Sequence, residues 1–289
     1  RRYGAPDGLT STFVTDLARR PGDPRALWVA TDGGGLLLFE NELLRNVDLG
    51  TALSSRAIYR VLETTAQQGA AAVWIGTRNN GLLRLMGGYW RSFVPFPEIP
   101  RSTVSALMVP SRSDSEPEVW LGTDGFGVAT WREGEWRRFG VADGALGHDS
   151  VLAIVESRAV GRGRLIWVGT RNGGLSAWDG VRWRRHDRAS GALPNDLVQT
   201  LLETVDPQGR GTLWVGTREG LASYDGERWQ QLDATAGWPV GSVLALLEER
   251  DPAGRSSLWI GTSNGLYRRR EGELRHWAEL VPGRSVGSI

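Results

Sequence analysis

Short apolar runs rich in Val, Ile, Leu and Trp alternate with clusters of Gly, Asp, Asn and Pro along the whole chain. None of these runs is long enough for a good helix, and the clusters between them contain turn-forming residues. The pattern therefore predicts short β-strands joined by tight turns. One run recurs with little change, as LWVAT, VWIGT, VWLGT, IWVGT, LWVGT and LWIGT.

The recurring run sets a period along the chain. It is centred on Trp28, Trp74, Trp120, Trp167, Trp214 and Trp259. Successive tryptophans are 46, 46, 47, 47 and 45 residues apart, close to the ~40 to 50 residues of one propeller blade. Each period contains four short runs, so the repeat is predicted to be a four-stranded meander. The predicted fold is an all-β β-propeller with six four-stranded repeats, forming a single domain over residues 1–289.

Repeat four shows how the strands are assigned. Its inner strand is predicted at 150–157, the second at 165–170, the third at 174–180 and the outer one at 181–186. The segments after the second strand, such as TDGGGL and TRNNGL, contain Gly and Asn that allow the positive φ of a tight turn. Before the tryptophan strand, DPQGRG and DPAGRS supply Asp, Pro and Gly as turn formers.

The periodic tryptophans are predicted to be core residues, because large apolar residues that recur at one repeat position are usually buried. A small residue follows two places later in each repeat and is expected to let the neighbouring sheet approach closely. These small residues are Ala30, Gly76, Gly122, Gly169, Gly216 and Gly261.

Both ends of the chain contain partial repeats. Residues 1–4 resemble an outer strand, since RRYGAPDGL mirrors RRFGVADGAL at 137–146. Repeat six has its own outer strand at 274–280, and 284–289 resembles the start of another inner strand. The repeats therefore form either a six-bladed ring with loose ends or an incomplete seven-bladed ring, and the second is favoured. An open sheet edge would allow self-association.

Composition narrows the function classes. The 34 basic residues, all arginine, balance 33 acidic ones to a net charge of +1, which argues against a nucleic-acid partner. No cysteine is present, and the histidines His148, His186 and His276 share no motif, so neither a metal nor another cofactor is expected. No apolar run approaches the roughly 18 to 20 residues of a membrane span, so no direct membrane insertion of this segment is expected.

Two long segments carry a family resemblance: GALPNDLVQTLLETVDPQGRGTLWVGTREGLASYDGERW at 191–229 and GWPVGSVLALLEERDPAGRSSLWIGTSNGL at 237–266. This pattern resembles the two-component regulator propeller repeat, and the resemblance covers essentially the whole chain. It implies the sensor region of a hybrid histidine kinase or related regulator, lying outside the inner membrane and commonly recognising glycans. It also implies a periplasmic or extracytoplasmic location and a signalling domain as partner, with no catalytic residue.

Ligand-binding residues are predicted on one face of the sheets. In an antiparallel meander the loops before strand one and between strands two and three lie on the same side. Polar residues vary there while the frame repeats, which is typical of a binding face on a repeat protein. The candidates are Arg56, Ser102, Asp149 and Asp196 before strand one, Arg78, Arg171, Asn172, Arg218 and Asn264 after strand two, and the aromatic Trp238. They favour a polar or acidic oligosaccharide, which arginine forks would bind through its acidic groups.

Several alternatives remain open from the sequence. The candidates are also explained by solvated loops, by ion pairs between blades along Asp32, Arg78 and Asp124, and by a loop-packing Trp238. Asp149 and Asp196, with His148 beside the first, allow a glycan hydrolase or lyase with paired carboxylates, although each Asp also suits a turn. A protein-interaction scaffold is a further alternative. The favoured hypothesis is a sensor without catalytic activity.

Overall fold

A computed structural model describes residues 3–50, 56–65, 71–93, 102–110, 118–132, 135–160, 163–232 and 241–277, apart from the side chains of Pro24, Thr65 and Phe93. The chain forms two compact units, Arg1–Arg138 and Phe139–Ile289. Strands account for nearly all regular structure in this part of the chain. The one described helix is a 3-10 turn at Ala5–Asp7.

The first unit contains three four-stranded antiparallel sheets, each a meander in chain order. Sheet 1 consists of β1 (Val14–Arg20), β2 (Asp23–Thr31), β3 (Gly35–Glu40) and β4 (Leu43–Asn46). Sheet 2 consists of β5 (Ile58–Thr65), β6 (Ala71–Thr77), β7 (Leu82–Met86) and β8 (Tyr89–Phe93). Sheet 3 consists of β9 (Val104–Met108), β10 (Val119–Thr123), β11 (Val128–Arg132) and β12 (Glu135–Phe139).

The second unit contains three more sheets of the same kind. Sheet 4 consists of β13 (Val151–Ser157), β14 (Leu165–Thr170), β15 (Leu175–Trp178) and β16 (Trp183–His186). Sheet 5 consists of β17 (Val198–Val205), β18 (Gly211–Thr217), β19 (Gly220–Tyr224) and β20 (Trp229–Leu232). Sheet 6 consists of β21 (Val243–Arg250), β22 (Ser256–Thr262), β23 (Gly265–Arg270) and β24 (Glu273–His276). The fold is therefore an all-β β-propeller with six four-stranded blades, as predicted.

The same register recurs in all six sheets. An aliphatic residue, buried in every sheet except sheet 1, begins each inner strand and pairs with the Thr that ends the second strand, as Val151 pairs with Thr170. The other pairs are Val14 with Thr31, Ile58 with Thr77, Val104 with Thr123, Val198 with Thr217 and Val243 with Thr262. A register shift follows each pair, so one inner-strand residue bulges out of the ladder. We call the first aliphatic residue the anchor.

Four of the six periodic tryptophans pack against the sheet that follows them in the chain. Trp28 belongs to an apolar cluster with residues of sheet 2, and Trp74 to one with residues of sheet 3. Trp167 and Trp214 make the corresponding clusters with sheets 5 and 6. Five of the six indoles are buried, which confirms the prediction that they are core residues, whereas Trp259 is half-buried.

The small residue two places after the tryptophan makes room for the next anchor. A Cβ added to Gly76 would lie 2.6 Å from Val104 Cγ1, and one added to Gly216 would lie 2.7 Å from Val243 Cγ1. Both distances are too short for a real contact, so only glycine allows these sheets to approach so closely. The expected role of this position is confirmed.

Predicted strand bounds differ at several edges. The inner strand of sheet 4 begins at Val151, its third strand covers Leu175–Trp178 and its outer strand begins at Trp183, because turn residues occupy the predicted ends. The outer strand of sheet 6 begins one residue earlier than predicted and ends at His276.

The prediction of a strand at residues 1–4 is wrong for Tyr3 and Gly4, which lie outside any ladder. Tyr3 instead packs edge-on against Phe39, with ring centroids 5.1 Å apart. The prediction for 284–289 falls outside the described residues, and the single domain over 1–289 and the mode of ring closure stay predictions.

Candidate functional site

One hydrogen bond places the two sets of candidate residues side by side. In each sheet the N–H of the residue after the second-strand Thr donates to the carbonyl of the residue before the anchor, as Arg218 N does to Leu197 O at 3.0 Å. The equivalent donors are Asp32, Arg78, Asp124, Arg171 and Ser263. The loops before strand one and after strand two therefore share one side of every sheet. We call this side the loop face.

Neighbouring sheets are also joined at the loop face. Gly35 N, at the start of β3, donates to Arg56 O before β5 at 3.0 Å. Gly174 N, in the turn after β14, donates to Asp196 O before β17 at 2.9 Å. Backbone bonds of this kind hold the candidate positions of adjacent sheets at fixed spacing.

Asp149 and Asp196 stabilise their own loops. Asp149 Oδ1 accepts from Val141 N at 2.8 Å, and Asp196 Oδ1 accepts from Arg188 N at 2.7 Å, each bond spanning eight residues. The residue before each Asp also stabilises its loop. His148 Nδ1 accepts from Ser150 N at 2.9 Å, and Asn195 Oδ1 accepts in the same way from Leu197 N. These matching bonds support the turn interpretation of the two carboxylates over a catalytic one.

The arginine and amide candidates of the second unit lie at the surface of the loop face. The exposed candidates are Arg171, Asn172, Arg218 and Asn264. Asn264 N donates to Thr262 Oγ1 at 3.0 Å, so its backbone belongs to the turn while its side chain is exposed. Arg218 makes its backbone bond to Leu197 and presents its guanidinium to solvent. Trp238 lies outside the described residues.

Among the first-unit candidates, Ser102 is buried and Arg56 is exposed. Ser102 Oγ donates to Asp124 O at 2.7 Å, which is a structural bond across its own sheet. Arg78 Nη1 lies 3.9 Å from Asp32 Oδ2, so one of the expected ion pairs between blades is present. The Arg78 guanidinium also lies over the Tyr59 ring, 5.4 Å from its centroid.

Two aromatic residues of the loop face were not predicted. Phe13 precedes the anchor of sheet 1 and is 73% exposed, and Tyr59 is the bulged residue after the anchor of sheet 2. Tyr59 Oη donates to Asp32 Oδ2 at 3.3 Å. Burial raises the pKa of Tyr59, and the Asp32 charge raises it further. The bulge aims the Tyr59 side chain at sheet 1, and periodicity alone does not locate bulges.

A carboxylate contact between sheets was also not predicted. Glu203 of sheet 5 accepts from the backbone N–H groups of residues 158–160 of sheet 4, at 2.9 to 3.2 Å. Ser157 Oγ donates to the same carboxylate at 2.6 Å. Glu63 occupies the same repeat position in sheet 2 and accepts from the Trp28 indole of sheet 1. Glu recurs five residues after the anchor in four repeats, but Glu156 and Glu248 bond to residues of their own repeats, so the recurrence alone does not predict this contact.

On the opposite side of the sheets, Asp side chains close the turns between the first and second strands of sheets 5 and 6. Asp206 Oδ1 accepts from Gln208 N and Arg210 N, and Asp251 repeats this arrangement with Ala253 and Arg255. These backbone hydrogen bonds lower the pKa of both carboxyls. A cavity of about 610 Å³ lies there beside Asp206, and its walls are the Asp206 turn, the turn at 225–227 and Ala159. The carboxylates are thus used for turn geometry, as predicted for the Asp-Pro segments.

The described residues contain neither a metal-binding cluster nor a membrane-spanning helix. No group of three or more His, Cys, Asp or Glu side chains is close enough to hold a metal ion. No helix in this part of the chain is long and apolar enough to cross a membrane.

No protein-family model matches the chain, and no curated protein matches its sequence. Solved structures do share the fold. The extracellular domain assigned to the hybrid two-component system BT3049 of B. thetaiotaomicron superposes with a TM-score of 0.76 at 18% identity, covering 96% of this chain and 36% of that one. The extracellular domain assigned to the hybrid two-component system BT4673 of the same organism gives 0.67 at 20% identity, covering 98% of this chain and 36% of that one.

The chain is a β-propeller of the architecture found in these extracellular domains. The resemblance to two-component regulator propellers is therefore supported by structure, at the level of the fold. The chain spans only 36% of the length of these extracellular domains. The structure of BBS1N, solved in complex with ARL6DN, is also similar, with a TM-score of 0.61 at 14% identity over 92% of this chain and 80% of that one.

Proposed function

We propose that this propeller is the ligand-sensing part of an extracytoplasmic signalling receptor and that it binds a polar, acidic oligosaccharide at the loop face without transforming it. Periplasmic or extracytoplasmic location and a signalling domain as partner belong to the same proposal. Its support from the comparisons is that similar solved structures are extracellular domains assigned to two-component systems.

The observation that carries the proposal is the fixed backbone frame of the loop face. The same hydrogen bond in every sheet joins the residue directly before the anchor to the residue after the second-strand Thr, so the candidate position one residue before the bond lies beside the loop after strand two. The frame repeats while the side chains change, with Arg56 beside Arg78, Asp149 beside Arg171 and Asp196 beside Arg218. A rigid scaffold that presents different polar groups suits selective binding of an extended polar ligand.

Charge selects the ligand class. Arg56, Arg78, Arg171 and Arg218 are all exposed candidates on the loop face. The guanidinium groups of Arg56, Arg171 and Arg218 can bind the carboxylates or sulfates of an acidic oligosaccharide in bidentate geometry. Arg78 is paired with Asp32 and is suited to sugar hydroxyls instead. Asn172 and Asn264 add neutral groups that can both donate to and accept from sugar hydroxyls.

The absence of catalysis is part of the proposal. Asp149 and Asp196 each place one carboxylate oxygen on a backbone N–H of their own loop. Carboxylates used in this way stabilise the loop conformation, and their positions need no reaction to explain them. Incubating the protein with the oligosaccharides used for binding, followed by product analysis, tests this part, and any turnover lost on substitution of both Asp residues would contradict it.

Binding is tested by calorimetric titration with acidic oligosaccharides and their neutral counterparts. We expect an acidic ligand to bind the unmodified protein, and a loop-face pair, Arg56→Ala with Arg78→Ala or Arg171→Ala with Arg218→Ala, to weaken it. The matched control is Arg182→Ala with Arg228→Ala, which removes the same charge from exposed turns on the opposite side of sheets 4 and 5. Equal loss in the control, or no binding of any acidic ligand, would contradict the proposal.

A second candidate is a protein-interaction scaffold. Its support is that BBS1N, whose structure is similar, was solved in complex with the protein ARL6DN. This function predicts that the loop face or the opposite turns bind a protein and that no oligosaccharide changes the melting temperature. A ligand at 100 times its Kd adds about 2.7 kcal/mol to the free energy of unfolding, so a thermal-shift series separates the two functions.

A further inference from the structure

We infer that the turn between β2 and β3, with the residues of sheets 1 and 2 around it, is a subsite for a uronate residue, a pyranose ring that carries a carboxylate. This inference rests on the proposed function and specifies where on the loop face an acidic sugar binds. The subsite consists of Phe13, Asp32, Arg56, Tyr59 and Arg78.

A network of hydrogen bonds fixes the turn. Asp32 N donates to Phe13 O at 2.9 Å, and Ser11 Oγ donates to Asp32 O at 3.0 Å. Thr10 Oγ1 donates to Gly34 O at 2.9 Å. On its other side the turn is bonded to sheet 2, through Gly35 N and Arg56 O. Phe13 and Arg56 therefore flank one rigid turn, so little order has to be gained when a ligand binds.

Phe13 supplies an apolar platform. Its side chain is 73% exposed, the largest exposure of any described aromatic residue except Tyr89. In the other five repeats, the residue directly before the anchor is Ala, Thr, Ser or Leu. An exposed phenyl ring beside polar groups suits a ligand with one apolar face and polar edges, which a pyranose ring has.

Asp32, Tyr59 and Arg78 supply the polar edge. Asp32 Oδ2 accepts from Tyr59 Oη at 3.3 Å and lies 3.9 Å from Arg78 Nη1, and its side chain is 28% exposed. The carboxylate can accept from a sugar hydroxyl while the guanidinium donates to another. Because these two charges compensate each other, they favour hydroxyl groups over a net charge.

Arg56 supplies the charge that selects an acid. It is exposed and adjoins Arg78, whose N–H donates to the carbonyl of Ala57 at 3.1 Å. With the Asp32 and Arg78 charges compensated, Arg56 leaves the cluster with one positive charge in excess. A single carboxylate on the bound sugar would neutralise it and would form a charge-assisted hydrogen bond.

The probe is trigalacturonic acid, compared with its methyl ester, which keeps the rings and hydroxyls but removes the charge. We expect Phe13→Ala to weaken binding of the acid at least tenfold and Phe13→Trp to preserve it. Because Phe13 is exposed, both variants should keep the melting temperature of the unmodified protein. The unmodified protein should prefer the acid to the ester, and Arg56→Gln should abolish that preference.

The outcomes separate this inference from the proposed function. One outcome contradicts the subsite alone. If binding of the acid is weakened by Arg171→Ala with Arg218→Ala but not by Phe13→Ala or Arg56→Gln, the acid binds at another part of the loop face. If Phe13→Ala weakens binding of the acid and of the ester equally, but Arg56→Gln leaves the preference for the acid over the ester unchanged, the assignment of a uronate is wrong. If no acidic oligosaccharide binds, both proposals are wrong.

Discussion

Gly169 of sheet 4 faces Val198, the anchor of sheet 5, so closely that a Cβ on the glycine would lie 2.5 Å from Val198 Cγ1. The same contact joins Gly76 to Val104 and Gly216 to Val243. Close approach at this point brings the indole of one sheet onto the inner and second strands of the next. Each sheet carries its own candidate residues at the loop face. The distance between the candidates of neighbouring sheets therefore depends on how closely this contact lets the sheets approach.

We expect Gly169→Ala to lower the free energy of unfolding by about 1 to 3 kcal/mol, because the added methyl overpacks the contact. Urea denaturation measures the change. Gly4→Ala is the control, since its Cβ would meet only Pro6 Cδ at 3.7 Å, an ordinary contact. Adding Val198→Ala to Gly169→Ala should recover part of the loss, and strict additivity of the two changes would contradict a direct contact.

The periodic tryptophans should differ in their contribution to stability. Trp74 has no exposed surface, whereas Trp259 is half-buried. Trp74→Ala should therefore cost about 3 to 5 kcal/mol in unfolding free energy, and Trp259→Ala roughly half as much. Thermal and urea unfolding of the two variants give the comparison. An equal loss of unfolding free energy in the two variants would contradict the claim that burial determines how much each indole stabilises the fold.

Glu203→Ala should destabilise the protein by about 2 to 3 kcal/mol, because it leaves the N–H groups of residues 158–160 without their charged acceptor. Glu203→Gln should cost less, since the amide oxygen can still accept. Glu219→Ala is the control at an exposed site and should change stability by about 0.5 kcal/mol or less. Urea denaturation would contradict the assigned role if Glu203→Ala and Glu219→Ala behaved alike.

Stability should fall as the solution is acidified through the titration of His186. Burial among Trp167, Tyr224 and Trp229 lowers the pKa of His186, and the Arg184 charge lowers it further. A depressed folded-state pKa means that the unfolded chain binds the proton first, so stability is complete above the unfolded value of about 6.5 and decreases below it.

The variant His186→Phe isolates this contribution, because Phe139 packs against Trp178 and Trp183 of sheet 4 much as His186 packs against Tyr224 and Trp229 of sheet 5. Unfolding free energies are compared at pH 7.5 and 5.5. The unmodified protein should lose more stability on acidification than the variant does. An identical loss would show that other groups control the pH dependence.

The repeat made much of the fold predictable. Each anchor pairs with the Thr of its own LWVGT-type run, so six copies of one motif set six registers at once. The small residue two places after each tryptophan, a glycine in five repeats, predicts close approach of the next sheet for the same reason. Tyr3 shows where prediction from the repeat fails. Its position matches that of Phe139 in the repeat, which predicts a strand, but in the structure Tyr3 lies outside any strand and packs against the Phe39 ring.

The candidate site was less predictable, because it depends on where side chains point. Periodicity correctly placed Arg56 and Arg78 on one face, but the orientation of Tyr59 toward Asp32 depends on a bulge. Asp149 and Asp196 suited both a turn and a reaction in the sequence, and only their bonds to Val141 and Arg188 favour the turn. Phe13 carries no repeat signal, since its significance lies in its exposure.

Hydrogen–deuterium exchange with and without trigalacturonic acid tests the loop-face proposal most directly. We expect the ligand to slow exchange at residues 10–13, 32–35 and 56–59, and to leave the turns at 206–210 and 225–228 unchanged. Protection confined to those opposite turns, or no protection at saturating ligand, would contradict binding at the loop face.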